Sequence, residues 1–66
     1  MTNSELITTL TERIKQLNTE VFALQGGARN AAQQKNKSLA EEMMLDAIKL
    51  TTKSRTYNEV LDMIRE

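Results

Sequence analysis

Ile7, Leu10, Ile14, Leu17, Val21 and Leu24 recur at alternating steps of three and four residues, an unbroken heptad ladder through the first third of the chain. The β-branched residues hold one heptad position and the leucines the other. That division suits the holes of a parallel two-stranded coiled coil, where β-branched side chains favour position a and leucine position d. A helix carrying such a stripe must cover it with another helix.

A second ladder follows: Ala40, Met43, Ala47, Leu50, Ser54, Tyr57, Leu61 and Ile64, again in steps of three and four. Between the two stands Gly26-Gly27, the only glycine pair of the chain. Glycine accepts the left-handed conformation that closes a helix. The spacing therefore predicts helix 1 over residues 4–25, a break at Gly26-Gly27, and helix 2 from near residue 31 or 38 to residue 64, with residues 28–37 either its first turns or a mobile connection. Ala28 and Ala31 continue the first ladder's phase, which favours a bend at the glycines over a long loop. Thr2 to Glu5 and Ser38 to Glu41 both have capping-box spacing. Residues 51–56 are poor helix material, and Thr56 with Glu59 offers a cap for a separate last helix. A break near 54–56 thus competes with a continuous helix 2; the preserved phase favours continuity.

With 66 residues the chain forms one domain at most. Chains below roughly 70–80 residues seldom bury enough apolar surface to be stable alone, and recruit disulfides, a metal or another copy. Cysteine, histidine and proline are all absent, so disulfides and thiolate or imidazole ligands are excluded. Oligomerisation is the remaining device. The expected fold is all-α: a helical hairpin with heptad-patterned helices, self-associating into a coiled-coil-like or four-helix bundle. Ile7, Leu10, Ile14, Leu17, Val21, Leu24, Met43, Leu50 and Leu61 are the expected oligomerisation residues.

Reactive chemistry is scarce. Nucleophilic catalysis needs a nucleophile with a base beside it, and Ser and Thr have no such base here. Gly26-Gly27 lacks the Lys-Ser/Thr of a phosphate loop. Glu42 and Asp46 lie one helical turn apart but have no histidine partner, and with Lys49 and Lys53 they read as an ordinary charged face. No enzyme activity, metal or cofactor is expected.

Net charge is zero, so no global field favours nucleic acid or membrane. The charges are nevertheless blocked. Residues 28–37 hold Arg29, Lys35 and Lys37 and no acid; residues 38–48 hold Glu41, Glu42 and Asp46 and no base; residues 49–55 hold Lys49, Lys53 and Arg55. Arg29, Lys35 and Lys37 are the anion-binding candidates. Readers of single strands or RNA add stacking aromatics, and residues 28–37 have none, so nucleic acid is the disfavoured alternative.

Met44, Leu45 and Ile48 stand off the second ladder and are the partner-binding candidates; methionine recurs on adaptable binding surfaces. Phe22 and Leu6 stand similarly off the first. No apolar run approaches the roughly 18–20 residues of a membrane span. The start, Met-Thr-Asn-Ser-Glu, lacks the basic and apolar parts of a signal peptide, so the cytoplasm is the expected location. These readings converge on a small non-enzymatic protein-binding module, an adaptor, chaperone or inhibitor, acting as a homodimer or higher oligomer through apolar helix faces. The alternative is an oligomeric nucleic-acid or phosphorylated-ligand binding regulator that uses residues 28–37.

Overall fold

The computed structural model describes residues 2–65. Two helices, α1 (Asn3–Gln33) and α2 (Lys37–Arg65), pack side by side in opposite directions, as an all-α hairpin with extents of 49 × 14 × 14 Å. The helix that the first ladder requires is the chain's own second helix. The two ladders face each other along the seam. Leu10, Leu17, Ala28 and Ala31 of α1 are buried, as are Ala47, Ser54 and Leu61 of α2. Ile7, Ile14, Val21, Leu24, Ala40, Met43, Leu50, Tyr57 and Ile64 complete both ladders at half-burial.

The start of α1 is as the sequence reading expects. The Thr2 hydroxyl accepts from the Glu5 amide at 3.2 Å, and the Glu5 carboxylate accepts from the Thr2 amide at 3.4 Å, a complete capping box.

The end of α1 differs. The helix runs through Gly26-Gly27 to Gln33, and neither glycine has a positive φ. A helical glycine costs about 1 kcal/mol relative to alanine. Stopping at residue 25 would cost more: Ala28 and Ala31, each only 4% exposed, would leave the seam, and the first turns of α2 would lose their cover. Gly27 also has a use in place. A Cβ there would lie 3.0 Å from Met43 Sδ and 3.2 Å from its Cε, so the bare backbone makes room for the Met43 thioether. Around Gly26 nothing lies within 4 Å.

The reversal uses three residues, Gln34 to Asn36, and no glycine. Asn36 N–H donates to the Ala31 carbonyl at 2.8 Å and Lys35 N–H to the Ala32 carbonyl at 3.0 Å. These two bonds are a Schellman closure. Lys35 sits at its left-handed position with φ 62, where a side chain costs roughly 1–2 kcal/mol. Asn36 then caps α2, its Oδ1 accepting from the Leu39 amide at 3.3 Å. The expected box at Ser38 is therefore not the cap; Ser38 already lies inside the first turn. Residues 31–33, expected in helix 2 or a connection before it, belong to α1.

α2 is continuous through residues 51–56. Thr51, Thr52 and Thr56 each donate a hydroxyl proton to the carbonyl four residues back, at 2.8, 3.0 and 3.1 Å. The hydroxyls are satisfied inside the helix instead of competing with it, and the Ser54–Tyr57–Leu61 seam keeps the phase. Buried Ser54 donates to Asn18 Oδ1 at 3.2 Å, a polar bond across the seam that fixes which turns of α1 and α2 lie level.

The glycines inside α1 and the lysine at the turn give a stability prediction in three variants. Gly26→Ala adds helix propensity without contact and should stabilise the hairpin by about 0.5–1 kcal/mol. Lys35→Gly relieves the left-handed strain, less the added freedom of the unfolded chain, for about 0.5–1 kcal/mol. Gly27→Ala must displace Met43 and should gain less than Gly26→Ala. Urea denaturation followed by circular dichroism ranks the three; a destabilised Gly26→Ala protein would mean the chain does bend at the glycines.

Candidate binding groove

Among the described residues six large apolar side chains remain exposed: Phe22, Leu39, Met44, Leu45, Ile48 and Met63. Three of them, Met44, Leu45 and Ile48, recur within one turn and a half of α2, at 46%, 58% and 58% exposure. Their exposure follows from the ladder. The intrachain seam is filled by Ala40, Met43, Ala47 and Leu50, which turns their off-ladder neighbours outward.

At the reversal end the two helices enclose an open groove of about 1120 Å³. From α1 it takes Gln25, Ala28, Arg29 and Ala32; from the turn and α2 it takes Lys35, Lys37, Ala40, Glu41, Met44 and Leu45. The alanines make it wide, since methyl groups leave the space that larger side chains would fill. Met44 and Leu45 supply apolar wall, and Arg29, Lys35, Lys37 and Glu41 supply charge. A smaller depression between Thr8 and Gln16 is lined by α1 alone.

The groove brings together residues that the sequence reading assigned to rival sites. Arg29, Lys35 and Lys37 share it with Met44 and Leu45; Ile48 lies beyond its end. The ladder residues Ile7, Leu10, Ile14, Leu17, Val21, Leu24, Met43, Leu50 and Leu61 lie along the seam between α1 and α2. Gln25, Ala28, Ala32, Ala40 and Glu41 were not singled out beforehand as binding residues. The alanine pairs on each side of the reversal were the available signal, but only the three-residue turn sets them face to face.

The side of the hairpin that carries the groove continues past it. Gln25, Arg29 and Ala32 stand four, one and four places after the seam residues Val21 and Ala28; Glu41 and Met44 stand one and four places after the α2 seam residue Ala40. Phe22 and Ile48 each stand one place after a seam residue, Val21 and Ala47, and so extend the same side. The Ser54–Asn18 bond sets the level. Four residues on from Asn18 and four back from Ser54, Phe22 comes level with Leu50, within a turn of Ile48. Phe22, 78% exposed, is a further apolar side chain left in water, on α1 rather than in the α2 cluster of Met44, Leu45 and Ile48.

Among the described residues no cluster of acidic side chains is suited to a metal ion, and no helix is long and apolar enough to cross a membrane. The chemistry on offer is apolar contact bordered by charge. No known protein family, curated protein or solved structure matches this chain.

Proposed function

We propose that this chain is a non-catalytic protein-binding module, an adaptor, chaperone or inhibitor, that works in self-associated form through its apolar helix faces. The observation that carries the reading is the exposed cluster of Met44, Leu45 and Ile48 on α2. Adjacent exposed apolar side chains are a liability in water unless something covers them, and such patches mark interaction sites. A helix laid along the cluster would bury its own apolar face there, a recognition mode that needs no reactive residue.

A second reading rests on the bases at the groove's edge. Arg29, Lys35 and Lys37 offer three cations against one acid, Glu41, and would suit a phosphorylated ligand or nucleic acid. Phosphate-driven binding falls steeply with salt, whereas apolar contact does not.

The two readings separate by substitution. Met44→Glu with Ile48→Glu should abolish capture of a protein partner from nuclease-treated host extract, while Lys35→Glu with Lys37→Glu largely spares it. Recovery of nucleic acid alone, lost on reversing the two lysines and insensitive to the Met44 and Ile48 changes, would overturn protein binding as the function.

A further inference from the structure

The hairpin by itself leaves its core thin. No large side chain among the described residues falls below 2% exposure, and even Leu10 and Leu17 keep 9%. Met44, Leu45 and Ile48 remain uncovered near the middle of α2, at 46%, 58% and 58% exposure. The charge order along α2 indicates what covers them. Reading from the turn, Lys35 and Lys37 come first, then Glu41, Glu42 and Asp46, then Lys49, Lys53 and Arg55, then Glu59 and Asp62. The signs alternate base, acid, base, acid, and the exposed apolar residues Met44, Leu45 and Ile48 sit at the centre of the series. Reversing the helix about Ile48 exchanges each block for one of opposite sign.

Glu41, Ile48 and Arg55 sharpen the point. They are spaced by seven residues and so lie on one face of α2, with Ile48 midway between the acid and the base. All three are exposed.

Resting on the protein-binding reading above, we propose that the occupant of this face is a second copy of the chain, with the two α2 helices packed antiparallel about a two-fold axis beside Ile48. In that arrangement Ile48 meets its own counterpart, and Leu45 and Met44 meet the partner's Thr51 and Thr52. Glu41 comes level with the partner's Arg55. Lys37, at the start of α2, comes level with the partner's Glu59. A parallel arrangement sets every block against its own sign, so the charges select the antiparallel one. Because the interface is isologous, each contact occurs twice. The pairing uses the outer face of α2 and leaves the intrachain seam intact.

Sedimentation equilibrium of the full chain tests the pairing. The wild-type protein should be dimeric at micromolar concentration. Ile48→Glu sets two carboxylates against each other at the axis and should weaken the dimer by at least about a hundredfold. Ile48 is exposed in the hairpin, so the helical circular dichroism of that variant should persist. Glu41→Arg and Arg55→Glu should each weaken the dimer about tenfold, and the double swap should restore it. Ile48→Cys, in a chain with no other cysteine, should oxidise to a disulfide-linked dimer. A wild-type monomer that still captures a protein partner would overturn the two-fold pairing, and self-association with it, and leave only the protein-binding part of the reading standing. A dimer indifferent to Ile48→Glu, or a double swap that fails to recover, would overturn it as well, placing the contact on another face.

Discussion

Leu17→Ala should unfold this protein at room temperature. Leu17 lies mid-seam at 9% exposure, beside the Asn18 that bonds Ser54 across the hairpin. Truncating a buried leucine costs ~2–5 kcal/mol. A domain of this size rarely holds more than about 3–5 kcal/mol in total, so one truncation removes most of the stability. Far-ultraviolet circular dichroism should show helicity collapsing, and size-exclusion chromatography should show an expanded chain. Leu17→Met, which conserves volume, should cost less than about 1.5 kcal/mol and keep the fold. If Leu17→Ala melts where the wild-type protein does, the seam is not the core.

Ala47→Leu should destabilise the hairpin by about 1–3 kcal/mol, the usual cost of overfilling a packed site. Ala40, Ala47 and Ser54 occupy one heptad position of α2, and their small side chains let the two helices approach closely. Ala47 is 4% exposed, with no room to turn a larger side chain outward. By hydrophobicity alone the same change would be stabilising, since it adds apolar surface to a seam position. A melting temperature above wild type would therefore show that the helices stand further apart than described. Thermal denaturation of both proteins at matched concentration decides the sign.

How much of this was legible in advance depends on the range of the interaction involved. Both ladders were readable because heptad phase is a local property of one helix. The continuity of α2 was readable for the same reason: phase kept across residues 51–56 argued for one helix, and the threonine hydroxyls confirm how that helix tolerates them. The capping box at Thr2 needed only four consecutive residues. The end of α1 was misread because a local signal, Gly26-Gly27, competed with a non-local one. Ala28 and Ala31 had kept the phase beyond the glycines, but what they gain by staying helical is a seam with Ala40 and Met43, across the turn. Lys35 gave no local sign that it would take the left-handed position a glycine usually fills.

The candidate site divides in the same way. Met44, Leu45 and Ile48 were recognisable as surplus apolar residues once the ladder was assigned, and Arg29, Lys35 and Lys37 as a run of bases. That five of these six line one groove was not.

Sequence alone determined that the chain is helical, that each helix has one stripe to bury, and that no side chain here is equipped for catalysis by cysteine or histidine. Those properties depend on residue type and spacing within a few turns. Only the tertiary structure decided where the chain reverses, which stripe each helix uses to cover the other, and which apolar residues are left in water. These depend on matching two helices of 31 and 29 residues end to end. The match is made by summed contacts along the whole seam, and that sum outweighs the preference of any single glycine.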